Sequence, residues 1–106
     1  MSKVKKLTIY VTTYERPLLL AKCLNSILSQ DFHDYNLIIL DNNSKKNYKK
    51  ILTKYRNKKI KYIKHKKNLD SMGNVLYALK KKTNSEYIMI FHDDDLMQKS
   101  YIKTAI

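Results

Sequence analysis

The sequence predicts an α/β fold in which a parallel sheet carries helices on both faces. Apolar, strand-like runs alternate along the chain with segments whose apolar residues recur at helical spacing. The strand runs are nearly continuous in apolar residues, as expected for strands that are buried on both faces. Right-handed crossovers between such strands give the order 3-2-1-4, so the topological switch point, where ligands bind in these sheets, lies between strands 1 and 4.

The first half of the chain is predicted to contain two strands and two helices. Residues 6–12 are apolar and β-branched, which favours a strand. Pro17 suits the first turn of a helix that we expect to run to about residue 30, with an apolar stripe at helical spacing: Leu20, Leu24, Ile27 and Leu28. Residues 36–40 form a second apolar strand, and the apolar residues between 48 and 55 indicate a second helix.

The second half continues the alternation. It is predicted to hold a short strand at 60–63, a helix from 71 to about 82 and a strand at 86–91. A last helix is predicted from residue 98 to residue 106. At 106 residues the chain is large enough to bury one core, but it is small for a complete enzyme.

Composition indicates a cytoplasmic protein. No apolar run approaches the ~20 residues that are needed to span a bilayer. The basic N-terminus lacks the apolar segment of a signal peptide, and the lone Cys23 cannot form an internal disulfide. Because Cys23 falls in an apolar helical run, we expect it to be a buried hydrophobe rather than a nucleophile.

The formal net charge of +13 comes almost entirely from lysine. Lysine is accompanied by abundant Asn, Ile and Tyr, which is typical of A/T-rich coding, and no nucleic-acid-binding motif is present. We therefore expect no specific nucleic-acid partner, and DNA binding that survives physiological salt would contradict this interpretation. The positive field would still attract anionic ligands, including sugar nucleotides, and would allow peripheral association with the cytoplasmic membrane face.

The scarcity of glycine excludes two classes of nucleotide-binding protein. Gly73 is the single glycine of the chain. A dinucleotide-binding turn and a Walker loop both need several glycines, because backbone must approach the phosphates closely. A phosphate-bearing ligand would therefore have to be held by side chains and a metal ion.

Three consecutive aspartates, Asp93, Asp94 and Asp95, follow the apolar run of residues 87–91 directly. Adjacent carboxylates repel one another, so the cluster favours a function with a cation, and oxygen ligands of this kind suit Mg²⁺ or Mn²⁺. The structural alternative is an acidic first turn of the following helix. The cluster would share the carboxyl edge of the sheet with residues 12–14 and with Asp41.

Five segments together resemble family 2 glycosyltransferases. Residues 7–17 (LTIYVTTYERP) are similar to the first strand and "T-x-Y-N-R" turn of that family, and residues 24–30 (LNSILSQ) to its "L-x-S-I-L-x-Q" helix. Residues 37–44 (LIILDNNS) resemble "I-I-V-D-D-x-S", and residues 68–74 (NLDSMGN) resemble a "N-x-G…G-N" stretch. Residues 87–95 (YIMIFHDDD) resemble the strand that leads to the "D-x-D" metal motif.

The resemblance implies a GT-A fold and inverting transfer of a sugar from a nucleotide-sugar donor, such as a UDP-sugar, to a glycan or lipid-linked acceptor in bacterial-type surface glycan synthesis. It implies that Thr12 and Tyr14 line the uracil or ribose pocket and that Asp41 accepts a hydrogen bond from the nucleobase. Strand-end packing for Tyr14 and a helix cap for Asp41 are the structural alternatives.

The same resemblance assigns the aspartates. Asp93 would hold the ribose or base, Asp94 would bind Mn²⁺ or Mg²⁺ at the donor diphosphate, and Asp95 is the second candidate metal ligand because two registers of the motif fit. His92 stands where many relatives have the first aspartate. Two neighbouring cations, Lys66 and Lys67, are candidates to reach a phosphate, although a solvated surface is the plainer interpretation.

The family's general base lies beyond the metal motif, so we expect it beyond Ile106, with no catalytic base within residues 1–106. Glu86 and His92 are weaker substitutes, and Glu86 lies at the wrong end of its strand. We therefore interpret residues 1–106 as a single N-terminal domain fragment that ends before the acceptor-binding half, which a separate C-terminal polypeptide could supply.

Two other classes of protein stay open. One is a non-catalytic nucleotide- or metal-binding remnant. The other is a nucleotidyltransferase-like enzyme, although such enzymes usually carry a glycine-rich basic turn after the first strand, and residues 12–17 do not supply one.

Overall fold

Strands and helices alternate along the chain, as predicted from the sequence. The structure, a computed structural model, describes residues 5–55, 60–81, 84–98 and 100–105. The elements are β1 (Leu7–Thr13), α1 (Pro17–Leu28), β2 (Tyr35–Asp41), α2 (Lys49–Lys54), β3 (Ile60–Lys64), α3 (Asp70–Lys80), β4 (Tyr87–His92) and α4 (Tyr101–Ala105). None of the helices in these ranges is long and apolar enough to cross a bilayer.

The four strands form one parallel sheet in the order β3-β2-β1-β4, so the predicted topology is confirmed. The register pairs Thr13 with Asp41 of β2 and Thr12 with His92 of β4. Parallel pairing continues past the strand ends, because Asp93 N–H donates to Thr12 O at 2.9 Å and Asn42 N–H donates to Thr13 O at 3.0 Å. The turns that follow β1, β2 and β4 therefore emerge side by side.

Alternating side chains divide the core between the two faces of the sheet. The larger cluster packs α1, α2 and α4 against the odd-numbered positions of β1 and includes Ile9, Leu24, Ile39 and Ile102. The smaller cluster lies on the α3 face and is built around Tyr10, Leu40 and Ala78. The predicted coverage of both faces is thus confirmed.

Element boundaries differ from the prediction by one to several residues. α1 ends at Leu28 rather than near residue 30, and Gln30 is buried, where its amide donates to Gln98 O at 2.6 Å. α2 is shorter than the predicted 48–55, because Tyr48 and Tyr55 flank it as caps. α3 begins one residue earlier than predicted and ends at Lys80, before the predicted end near residue 82. The last helix begins at Tyr101 rather than at residue 98, and its predicted last residue, Ile106, lies outside the described residues.

Cys23 is fully buried on the inner face of α1, as predicted, and its thiol donates to His92 O at 3.7 Å. Burial, and to a smaller extent the negative charges of the three aspartates at 93–95, raises the pKa of Cys23 to about 12. The thiolate is the reactive form, so we expect the native thiol to resist iodoacetamide at pH 8 and to react fully in denaturant, as measured by mass spectrometry. Rapid alkylation of the folded protein would show instead that the thiol is accessible.

Candidate functional site

The carboxyl ends of β1 and β4 border a cavity of about 570 Å³. Its lining is polar and comes from three strand-end turns and from α3: Thr12, Thr13, Tyr14, Glu15, Arg16, Asn42, Ser71, Asn74, His92, Asp93 and Asp94. It lies beside the switch point between β1 and β4, where open parallel sheets bind ligands.

Asp93 is the buried carboxylate of this cavity, with 5% of its surface exposed. Thr13 Oγ1 donates to Asp93 Oδ2 at 2.9 Å, and Tyr14 N–H donates to the same oxygen at 3.4 Å. Arg16 Nη1 lies 3.5 Å from Asp93 Oδ1. Both oxygens of Asp93 are therefore oriented by the last residue of β1 and by the turn that follows it.

Asp94 is more than half exposed, and its Oδ2 lies 3.8 Å from the same Arg16 Nη1. One cationic nitrogen thus lies within 4 Å of carboxylate oxygens from two successive residues. Solvent screens the outer contact, because the Arg16 side chain is also half exposed. The arrangement is an anionic pair of side chains, Asp93 and Asp94, that converges on a single positive charge.

Asp95 takes a different direction. Its Oδ2 accepts the His92 N–H at 3.0 Å, and its own N–H donates to His92 O at 3.0 Å, so the residue closes a tight turn after β4. Asp95 does not line the cavity. Among the described residues, no group of three or more His, Cys, Asp or Glu side chains is arranged to hold a metal ion.

A divalent ion nevertheless fits the Asp93–Asp94 pair. Mg²⁺ sites often use one or two carboxylates and take their remaining ligands from water and substrate phosphates. Two carboxylate oxygens that converge on one positively charged group could form the protein part of such a site. The donor set is hard oxygen, which suits Mg²⁺ or Mn²⁺.

Thr12 and Tyr14 both line the cavity, on either side of Thr13. Thr12 is nearly buried, and its Oγ1 lies 2.6 Å from His92 Nδ1, a hydrogen-bonding distance that links the ends of β1 and β4. Tyr14 exposes 44% of its surface, so its ring is available to a ligand.

Asp41 lies behind the cavity and is fully buried. Its Oδ1 accepts hydrogen bonds from Ser44 N–H at 3.0 Å and from Ser44 Oγ at 2.6 Å, and its Oδ2 accepts the Tyr62 hydroxyl. Burial, and the hydrogen bond to this carboxylate, raise the pKa of Tyr62. Asp41 does not line the cavity. It is not a helix cap either, because α2 begins at Lys49 with Tyr48 as its N-cap; its carboxylate instead closes the turn that ends at Ser44.

Sequence reasoning gave no role to Arg16 or Tyr48. The Tyr48 hydroxyl lies 2.8 Å from Thr13 Oγ1 and accepts the Arg16 N–H at 3.0 Å, so it holds the turn after β1 in place. The turn contains Glu15 in the left-handed region, at φ 57°, with its N–H donating to Ser44 Oγ at 2.7 Å. Arg16 is the last residue of the segment that resembles the "T-x-Y-N-R" turn, and this match was the signal in the sequence that could have drawn attention to it.

Three of the remaining candidates lie outside the cavity, and one lines it. Lys66 and Lys67 are exposed and do not line the cavity. Glu86 precedes β4 and therefore lies at the opposite end of the strand. His92 does line the cavity, and its Nδ1 lies 2.6 Å from Thr12 Oγ1.

A family profile described as glycosyl transferase family 2 matches residues 8–106. The chain belongs to this family. The predicted GT-A fold of a family 2 glycosyltransferase is confirmed by the structural comparison, since a crystal structure of the S. aureus TarS fragment 1–349 in complex with UDP superposes with a TM-score of 0.82. That structure is 29% identical in sequence, and the match covers 94% of this chain and 30% of the TarS chain.

Two relatives show the same partial coverage. The GalNAc(5)-diNAcBac-PP-undecaprenol beta-1,3-glucosyltransferase of Campylobacter jejuni is 29% identical over 104 residues, which is 95% of this chain and 33% of the relative. The poly(ribitol-phosphate) beta-N-acetylglucosaminyltransferase TarS of Staphylococcus aureus is 27% identical over 103 residues, or 94% of this chain and 18% of the relative. This family 2 chain therefore spans a third or less of the relatives it matches.

Proposed function

We propose that this chain is the nucleotide-sugar-binding half of a metal-dependent glycosyltransferase that uses a UDP-sugar in bacterial surface glycan synthesis, with inversion at the transferred sugar. The observation that carries the proposal is the convergence of Arg16, Asp93 and Asp94 at the switch-point edge of the sheet. The UDP complex of the related TarS fragment and the glycan-building names of both relatives support the choice of donor and pathway.

Asp94 and Asp93 would hold the divalent ion, and Asp95 is the alternative second ligand. The ion would supply Lewis-acid stabilisation of the negative charge on the departing nucleoside diphosphate. Asp94 is the more exposed of the pair and can reach a ligand without disturbing the core, whereas Asp93 is fixed by Thr13. Asp93 could therefore also contact the ribose, as the family resemblance implies.

Arg16 would move from the two carboxylates to the diphosphate when the ion binds. Its guanidinium is half exposed and contacts the carboxylates through one nitrogen only. A metal ion would take over the neutralisation of Asp93 and Asp94, and the planar guanidinium matches phosphate oxygens in a bidentate manner. Thr12 and Tyr14 would line the pocket for the base or ribose, and the exposed Tyr14 ring is suited to stacking.

Asp41 would act on the nucleobase side of the site, either through direct hydrogen bonding or by positioning the turn that ends at Ser44. Its three internal hydrogen bonds support the positioning role. Direct contact with a base would require at least one of these bonds to open, because the carboxylate is fully buried.

The acceptor site and the general base would come from polypeptide outside residues 1–106. Each carboxylate that lines the cavity is already engaged: Glu15 Oε1 accepts the backbone N–H groups of Lys45 and Lys46, and Asp93 and Asp94 face Arg16. A base must be within reach of the acceptor hydroxyl and free to take its proton. We therefore expect this chain to bind donor without efficient transfer.

Calorimetric titration of the chain with UDP, with and without Mn²⁺, tests the proposal. We expect 1:1 binding that Mn²⁺ tightens by at least about tenfold, or 1.4 kcal/mol. ADP is the matched control for base preference. Absence of UDP binding at millimolar concentration in the presence of Mn²⁺ would refute the donor site. Efficient sugar transfer by the isolated chain would refute the inference that the general base lies outside residues 1–106.

A further inference from the structure

Tyr48, the N-cap of α2, is a buried residue whose hydroxyl group contacts the candidate site without lining its cavity. The hydroxyl oxygen lies 2.8 Å from Thr13 Oγ1 and 3.0 Å from Arg16 N. It also lies 3.3 Å from Ser44 Oγ. One oxygen therefore joins the end of β1, the turn that follows β1 and the turn that follows β2.

The neighbours of this oxygen fix the direction of its hydrogen bonds. Each hydroxyl group carries one hydrogen. Thr13 Oγ1 gives its hydrogen to Asp93 Oδ2 at 2.9 Å, so the Tyr48 hydroxyl donates to Thr13. The Tyr48 oxygen in turn accepts the Arg16 N–H. A one-way chain of bonds therefore runs from Tyr48 through Thr13 to Asp93, and successive bonds in such a chain strengthen one another.

Ser44 is the other hydroxyl neighbour of Tyr48, and it belongs to a different set of bonds. Its hydrogen goes to Asp41 Oδ1, which lies closer than the Tyr48 oxygen, at 2.6 Å against 3.3 Å. Of the two hydroxyl oxygens that the Tyr48 hydrogen could reach, Thr13 Oγ1 is the nearer. The Tyr48 hydroxyl therefore supports Asp93 rather than Asp41.

The two groups that Tyr48 supports are the carboxylate and the arginine of the proposed donor site. Asp93 accepts the Thr13 hydroxyl through Oδ2, and its Oδ1 faces Arg16 Nη1 at 3.5 Å. The Arg16 backbone follows Glu15, which holds the left-handed conformation at φ 57°, and the Tyr48 oxygen accepts the N–H at this point of the turn. One phenol hydroxyl thus helps to set both the rotation of the carboxylate and the start of the arginine side chain.

We propose that Tyr48 is a positioning residue of the donor site, which acts through Thr13 and Arg16 without touching the ligand. The inference rests on the proposed function, in which Asp93 and Arg16 meet the metal ion and the diphosphate. Without the hydroxyl, Thr13 loses the donor that holds it and the Arg16 N–H loses its acceptor. Both groups would then have to be ordered when the ligand binds, and that ordering lowers affinity.

Tyr48→Phe removes the hydroxyl and keeps the ring in the core, and Tyr55→Phe is the matched control. Tyr55 caps the other end of α2, is also buried and directs its hydroxyl to Asn25 of α1. Calorimetry with UDP and Mn²⁺ is expected to show at least about tenfold weaker binding for Tyr48→Phe and less than about twofold change for Tyr55→Phe. Each titration is made below the onset of unfolding of that variant, located by circular dichroism, so that the affinity is that of folded chain.

The ¹³C resonance of the Asp93 side-chain carboxyl in the ligand-free chain gives a second readout. We expect Tyr48→Phe to shift this resonance and Tyr55→Phe to leave it in place, because only the Tyr48 hydroxyl belongs to the chain of bonds that ends on Asp93. Equal losses of affinity in the two variants, or an unmoved Asp93 resonance in Tyr48→Phe, would overturn the proposal and leave the hydroxyl a role in stability alone.

Failure of this inference is distinguishable from failure of the proposed function. Absence of UDP binding by the parent chain would refute the donor site before any variant is made. The Asp93 resonance is measured without UDP or Mn²⁺, so it decides the connection from Tyr48 through Thr13 in either case.

Discussion

Asp94→Asn is expected to weaken Mn²⁺-dependent UDP binding by about 100-fold, or roughly 2.7 kcal/mol. A full charge that faces a divalent ion at ~4 Å contributes about 4 kcal/mol per unit charge at an effective dielectric constant near 20, so a neutral amide loses most of that attraction. Asp94 is more than half exposed, and within the described residues its carboxylate contacts only the Arg16 guanidinium. The substitution should therefore leave the thermal midpoint of unfolding within a few degrees of the parent chain.

Calorimetry with UDP at fixed Mn²⁺ measures the effect, and Asp95→Asn is the matched control. Asp95 lies one residue away, but its carboxylate accepts the His92 N–H and does not line the cavity. If Asp93 and Asp94 form the metal pair, Asp95→Asn should change affinity by less than about threefold, or 0.7 kcal/mol. A larger loss in Asp95→Asn than in Asp94→Asn would assign the principal ligand to Asp95 and contradict the pairing proposed here.

Asp41→Ala is expected to lower the free energy of unfolding by about 3 kcal/mol. The carboxylate is fully buried and accepts hydrogen bonds from Ser44 N–H, Ser44 Oγ and the Tyr62 hydroxyl. Removing it leaves these donors without an acceptor, and each unsatisfied buried donor costs about 1–3 kcal/mol. Tyr62→Phe removes one of the three bonds, so we expect it to cost about 1 kcal/mol.

Urea denaturation followed by circular dichroism measures both variants. The control is Asp34→Ala, at a half-buried aspartate whose side chain forms no hydrogen bond within the described part of the chain. The same samples, titrated with UDP below the unfolding transition, separate the two roles of Asp41. A positioning role predicts loss of stability with a secondary loss of affinity. Unchanged stability with abolished UDP binding would instead show that Asp41 contacts the nucleobase directly.

The order of strands and helices was predictable because each strand is marked by an apolar run in the sequence. Residues 36–40 and 86–91 are continuous apolar runs, and runs of this kind belong to strands that are covered on both faces. Once four such runs alternate with helices, the handedness of the crossovers leaves few strand orders, and 3-2-1-4 is the order observed. The meeting of Thr12, Tyr14, Asp93 and Asp94 at one edge follows from that order alone.

The side-chain hydrogen bonds and salt bridges of the site could not be predicted in the same way. The bonds from Tyr48 to Thr13 and from Tyr62 to Asp41 join residues 35 and 21 positions apart, and nothing in local periodicity identifies such partners. The direction of Asp95 depends on a turn whose hydrogen bonds compete with metal binding. The salt bridges of Arg16 depend on the left-handed backbone at Glu15, a conformation that sequence patterns rarely signal outside glycine and asparagine.

The position of β4 at the end of the sheet has a consequence for how this chain behaves in solution. Within the described residues β4 pairs with β1 on one side only, and its exposed side chains include Tyr87 and Ile88. An unpaired strand edge of this composition is a template for strand addition by another polypeptide. Concentrated samples of residues 1–106 should therefore tend towards self-association through β4, and a polypeptide that caps this margin would keep the chain monomeric.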